Sequence, residues 1–380
     1  MLYHTTVISK ATSLMSSVFT IVDQGTLSWQ PDRGAYMPVI TELLDGGLIA
    51  CQHVGQQLGS ADNYIEVLKT GDGRTWTVVA TIGNQEDGWS YRGPGITQSP
   101  DGRLVLTATR FQAATDMLFN PDSEGLQRAE LVLLQSTNLG ASWSAPRVVP
   151  VDLPPEKYTW NKAGGLVQFS PTRWMFPFET WKPEGYDGPP DQKAAAVFSE
   201  DEGASWGELT VIADDRSGRL LWWDQLNARL ADGRLYVMLW NHVYGTKEDR
   251  SVHWVVSDDQ GKTWSDPQPT NLSGQVCCPI AMADGRVAAI YNHRLEPQGI
   301  RLAVSEDLAQ FDHRSEVVVF DAGSEATLGE TEHENFLAEH MLIAFGKPHG
   351  TQLRSGDLMT SFWCTVEGVT HTRWVRLRAF

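Results

Sequence analysis

Three carboxylic acids, Asp62, Glu179 and Asp224, stand where β-rich runs give way to polar loops. Two such groups are the minimum machinery for cleaving a glycosidic bond: one protonates the leaving oxygen, and the other activates water or attacks the sugar carbon. In the same kind of position come His53, His242, His293 and His349, which can take up a proton near neutral pH. Arg92, Arg110 and Arg294 could hold a carboxylate or sulfate. Tyr36, Trp160, Asn161, Trp223 and Gln225 add flat faces and amides, and Tyr91, Gln112, Lys162, Trp181, Asn241, Asn292, Lys347 and Trp363 extend the set. Sugars call for this mixture: paired hydrogen bonds to hydroxyls, and aromatic faces for C–H surfaces. Each residue alone also reads as an ordinary strand-end hydrogen-bond partner, so the argument rests on the set. Metal-ligand motifs are absent, and no cofactor is expected. The cysteines at 51, 277, 278 and 364 sit in apolar, strand-like contexts and read as buried thiols.

What must position these groups is a repeat. The stretch Ser257-Asp258-Asp259-Gln260-Gly261-Lys262-Thr263-Trp264 has the pattern Ser-x-Asp-x-Gly-x-Thr-Trp, and it recurs closely at 199–206 and 136–143. A shifted version occupies 69–76, and a decayed one 305–311. Asp or Asn can bind local backbone N–H groups, Gly can take a positive φ, and Trp can pin the turn to a neighbouring sheet. Each copy follows a β-rich run, so it joins two strands. A second signal lies between the copies: Asp45-Gly46, Asp101-Gly102, Asp232-Gly233 and Asp284-Gly285 are hairpin turns between apolar runs, and 170–174 and 354–358 fill the two vacant places.

The eight-residue pattern resembles the Asp-box, or BNR repeat, of the sialidase-like β-propellers. That resemblance implies an all-β, six-bladed β-propeller of four-stranded antiparallel blades, as a single domain over 1–380. Blades are expected at about 36–80, 92–149, 162–212, 224–269, 277–320 and 348–380, with 5–9 supplying the last blade's missing strand and closing the ring. The segment 324–339 reads as an inserted loop or short helix. Both turn families belong to one face, which leaves the strand-end residues above around the axis on the other.

Charge and leader signals narrow the partners. With 30 basic against 47 acidic residues the net charge is −17, which argues against nucleic acid or an anionic membrane. No signal peptide or membrane span is visible, so a cytoplasmic location is expected.

Departures from the family pattern shape the functional expectation. Where sialidases carry Arg-Ile-Pro, this chain reads Tyr36-Met37-Pro38, and where they carry a nucleophilic Tyr it reads Lys347-Pro348-His349. Asp62 stands where the resemblance implies an acid/base Asp. The expectation is therefore a glycoside hydrolase acting on a terminal sugar of an oligosaccharide, with uronic or otherwise acidic sugars and neutral ones both open, but not sialic acid. Asp62 would be the acid/base, with Glu179 or Asp224 as partner at the wider, inverting separation. The alternatives are a lyase that uses His53 or another axial His with Arg, and a non-catalytic carbohydrate-binding propeller. A new ultraviolet-absorbing double bond in the product would mark the lyase.

Overall fold

The repeated turns close through their own side chains. In the copy ending at Trp206, Ser199 Oγ donates to Asp201 Oδ1 and accepts from Gly203 N–H, both at 2.8 Å, while Asp201 accepts from Ser205 N–H at 2.7 Å. Trp206 Nε1 then donates to Gly203 O at 3.2 Å. The copies ending at Trp143 and Trp264 repeat this arrangement. Two successive residues take left-handed angles in the 199–206 turn, Glu202 at φ 62° and Gly203 at 75°, so glycine meets only half of the demand.

This computed structural model describes residues 19–83, 88–112, 115–327, 339 and 343–379. The described residues form six antiparallel four-stranded blades. Blade 1 comprises Gly34–Glu42, Leu48–Gly55, Tyr64–Thr70 and Trp76–Ile82. Blade 2 comprises Trp89–Gln98, Leu104–Gln112, Ala129–Ser136 and Arg147–Val149. In blade 3 the inner strand is split into Thr159–Lys162 and Val167–Gln168, followed by Trp174–Trp181, Ala194–Ser199 and Leu209–Ala213. Blade 4 runs Leu220–Arg229, Leu235–Val243, His253–Ser257 and Gln268–Pro269, and blade 5 Cys277–Ala281, Val287–His293, Gly299–Ser305 and Val317–Asp321.

Blade 6 takes Phe345–Gln352, Leu358–Val366 and Val369–Ala379, and its outer strand is Phe19–Ser28, antiparallel to Val369–Ala379. An N-terminal strand closes the ring, but the closing role expected of Thr5–Ser9 belongs to Phe19–Ser28; residues 5–9 lie outside the described residues. Gly25 makes the pairing possible, because a Cβ there would meet the Trp374 indole at 3.0 Å. The expected insert contains the one-turn helix Ala322–Glu325, capped by Asp321, and its 328–338 portion is outside the described residues.

Blade packing produces a ring of cores instead of one centre. Ile49, Val67, Leu106 and Val132 fill the interface of blades 1 and 2, Leu131, Phe176 and Val197 that of blades 2 and 3, and Ala50, Met359 and Trp374 seal blade 6 against blade 1. Middle strands are therefore buried on both faces, as Ala194–Ser199 is throughout, and read as continuous apolar runs. Each fully buried Ile, Val or Leu contributes about 1.5–3 kcal/mol. Both turn families share one face: Arg103, in an Asp-Gly turn, ion-pairs with Glu202 in the next blade's Asp-box. All four cysteines are buried and free. No helix among the described residues is long and apolar enough to cross a membrane.

Candidate functional site

Inner strands that ran regularly from one face to the other would alternate side chains between the two blade interfaces. Four of them do not, since register slips between Tyr36 and Val39, Arg92 and Gly95, Trp223 and Leu226, and Gly346 and His349. A bulge of this kind releases backbone from the ladder and re-aims side chains. Three of the four contain Pro38, Pro94 or Pro348, which lack the N–H that a continued ladder would use. Within the bulges Met37, Gly93, Asp224 and Lys347 take φ values of 51°, 56°, 47° and 40°. For the three residues other than glycine, such angles cost on the order of 1 kcal/mol each and are kept where surroundings enforce them. Blade 3 breaks at the same level, where Gly164 has φ 56°, whereas Cys277–Ala281 of blade 5 pairs without a shift.

The bulges surround a cavity lined by Met37, Arg92, Asn161, Glu179, Trp181, Asp224 and Lys347, with Leu58, Phe119 and Leu126 as an apolar wall. Glu179 is at its centre and only 2% exposed. Strand register places Asn161 directly opposite it, and Asn161 Nδ2 donates to Glu179 Oε1 at 3.2 Å. Trp181, two residues along the same strand, donates Nε1–H to that oxygen at 2.9 Å, and the N–H of Asp224 reaches Oε2 at 2.8 Å. Burial, reinforced by the neighbouring Asp224 carboxylate, pushes Glu179 up to about 7. Asp224 itself is ion-paired with Lys347. Arg92 is buried and faces both acids; burial lowers it to about 10 against their pull. The site thus holds one carboxyl able to keep a proton near neutrality and one carboxylate in an ion pair.

Behind this layer Tyr36 stacks on His53, with centroids 5.3 Å apart, and meets Trp363 edge-on. Burial raises Tyr36 to about 12, and burial with the nearby Arg92 holds His53 well below its usual range. Below the cavity the axial channel continues past Lys162 and His349.

Of the residues expected from sequence, Arg92, Asn161, Glu179 and Asp224 converge on the cavity, with Trp181 and Lys347. Asp62 does not line it. Its carboxylate accepts from Arg33 at 2.9 Å, Gln56 N–H at 3.1 Å and Ser60 Oγ at 2.6 Å, which anchors a loop of blade 1. Arg110 pairs with Glu130 and lies over the Trp89 ring, and Trp160 faces a separate groove on blades 2 and 3. Trp223 is sandwiched between Trp181 and His242, and His242 Nδ1 lies 2.9 Å from Asp249. Gln225 donates to the carbonyls of Phe178 and Ala195, which ties blade 4 to blade 3. Arg294 bridges Gln275 and Phe345 O between blades 5 and 6, and burial lowers it to about 9. His293, on the Pro297 carbonyl, sits at the edge of blade 5. The four histidines therefore do not meet. Sequence reasoning missed the apolar wall; Met117-Leu118-Phe119, an apolar triplet inside a polar loop, was its available signal.

A family model described as "BNR repeat-like domain" matches residues 46–329. No curated protein matches the chain. Among solved structures, a protein of unknown function from Dyadobacter fermentans is 18% identical, with TM-score 0.72 over 95% of this chain and 99% of its own. An α-L-arabinanase from Penicillium chrysogenum is 11% identical, with TM-score 0.66 over 94% of this chain and 98% of that one. A leech intramolecular trans-sialidase is 12% identical, with TM-score 0.61 over 94% of this chain and 70% of that one. At these identities the likeness is one of fold.

Proposed function

This chain belongs to the BNR repeat-like domain family, and on that premise we propose that it is a glycoside hydrolase whose acid is Glu179 and whose second carboxylate is Asp224. The observation that carries the reading is the buried Glu179, raised to about 7 beside the Asp224–Lys347 ion pair, at the axial end of a sialidase-like ring. The arabinanase and trans-sialidase among its structural neighbours support a sugar substrate. Glu179 protonates the departing oxygen, and Asp224 takes the opposite part as nucleophile or base. Arg92 and Asn161 bind hydroxyl or acidic substituents, while Trp181, Phe119 and Met37 cover the sugar's C–H face. Asp62, tied to Arg33, is left as a loop anchor.

Since Glu179 Oε2 lies 2.8 Å from the backbone nitrogen of Asp224, the reading favours the short carboxyl separation of about 5–5.5 Å that goes with retention. Lys347, engaged with Asp224, stands at the sialidase nucleophile's place, and sialosides are expected to resist cleavage. A panel of nitrophenyl arabinosides, uronides, neutral hexosides and sialosides tests this. Glu179→Gln should lower kcat by about 10²–10⁴-fold on any cleaved member, and proton NMR of the first-formed anomer should show retention. Cleavage undiminished in both Glu179→Gln and Asp224→Asn, or no cleavage of any glycoside, would overturn the reading.

A further inference from the structure

Below the Glu179 cavity the axial channel opens into a chamber whose charged lining is entirely cationic: Lys162 and Lys347, with His349 beside them and no carboxylate. In a chain with net charge −17 this is a local reversal of sign. Lys347 is neutralised by Asp224. Lys162 is not: it is only 7% exposed, and its ammonium has no hydrogen-bond or ion-pair partner among the described residues. Thr107, 1% exposed, has an equally unpartnered hydroxyl. Both groups converge on one spot, because a Cβ built on Gly95 would stand 3.0 Å from Lys162 Nζ and 3.3 Å from Thr107 Oγ1. Glycine at 95 lets the Lys162 side chain lie against the backbone there, and its φ is not left-handed, so close approach and not backbone conformation is what the absent side chain permits.

We propose that this chamber binds a small monovalent anion, of the halide or nitrate class, on Lys162 Nζ beside Gly95. A buried ammonium without a counter-charge is costly, and an anion supplies both the charge and the acceptor that it requires. Burial and the neighbouring Lys347 lower Lys162 to about 7, with Cys51 and Glu179 pulling the other way. An anion beside it restores the ammonium form. The neutral imidazole of His349, lowered to about 4 by burial and by Lys162, can donate its one N–H to the same ion.

The test needs no substrate, so its result stands apart from the glycosidase reading. Sodium nitrate titrated at constant ionic strength against sodium gluconate should raise the melting temperature of the wild-type protein. In Lys162→Met, nearly the same length without the charge, the apparent nitrate dissociation constant should rise by at least about tenfold, equivalent to about 1.4 kcal/mol. Gly95→Ala keeps the charge but its methyl displaces the Lys162 side chain, and should weaken nitrate similarly, which covers the case in which Lys162→Met fails to fold. Crystals soaked in sodium bromide should show an anomalous peak against Lys162 Nζ. A chamber without bromide, or equal nitrate responses in wild type and both variants, would overturn the proposal.

Discussion

Asp201 and Glu179 are both carboxylates that accept three hydrogen bonds, yet their acidities move in opposite directions. Asp201, in the exposed Asp-box of blade 3, takes its three from Ser199 and Ser205, chiefly the Ser205 hydroxyl, and falls to about 2. Glu179, at the axis, takes its three from Asn161, Trp181 and Asp224 N–H, and rises to about 7. Burial and a second acid outweigh the donors at the axis, whereas solvent leaves the donors in charge at the turn. The two faces also differ in what enforces their backbone. Left-handed angles fall on residues other than glycine in both, on Leu139, Glu202, Gln260 and Leu308 in the Asp-box turns and on Met37, Asp224 and Lys347 in the axial bulges. The turns offset them with hydrogen bonds inside one short loop, whereas the bulges are held by contacts between blades.

The sharpest way to break this contrast is to remove the cation that makes the axial pair tolerable. Lys347→Met leaves Asp224 without its ion-pair partner and with only Arg92 facing it, and because both side chains of the pair are mostly buried the expected loss is about 3 kcal/mol. Urea unfolding should show it, and kcat should fall even where the variant is folded. Next in size is the pH dependence. Glu179 binds its proton more tightly folded, at about 7, than its ordinary 4.5. Its contribution is therefore fully present below about 4.5 and is lost as pH rises toward about 7, a change on the order of 3 kcal/mol. Glu179→Gln should gain on the wild type across that window, and wild-type kcat should decline on the alkaline side as the acid loses its proton. A stability difference that is flat with pH would mean that Glu179 ionises normally.

Smaller effects should come from the turn face, without kinetic consequence. Trp206 is half-buried against Phe176, so Trp206→Ala should cost about 2–3 kcal/mol, somewhat less than a fully buried Trp, with KM and kcat of the folded protein unchanged. Ser199→Ala removes the buried acceptor of Gly203 N–H and should cost about 1 kcal/mol, read as a lowered melting temperature. Lost activity with unchanged stability in either variant would erase the division between faces.

Most of the ring was legible because its turns are local chemistry: Asp, Gly and Ser at fixed offsets close the same hairpin wherever they occur. Arg92, Asn161, Glu179 and Asp224 were legible as strand-end residues. The errors arise where a partner comes from a distant stretch or where alternation is interrupted. Nothing near Asp62 in the sequence announces Arg33 as its counter-ion. Trp223 and Asp224 are adjacent and looked equivalent, but the bulge turns Asp224 to the axis and leaves Trp223 in an aromatic stack between blades. From sequence the closing strand reads as 5–9 instead of Phe19–Ser28, although Gly25 is the place where Trp374 lies against the latter.

The pairing of Phe19–Ser28 with Val369–Ala379 also sets an order of events during folding. Closing a loop of that span costs about 5 kcal/mol of chain entropy by ideal-chain scaling, which no local turn repays. Until the two ends meet, Val369–Ala379 is an unprotected edge of the kind that recruits strands from other molecules. On the ribosome Phe19–Ser28 must therefore wait for the distant Val369–Ala379, and the hazard of misassembly is concentrated at that seam.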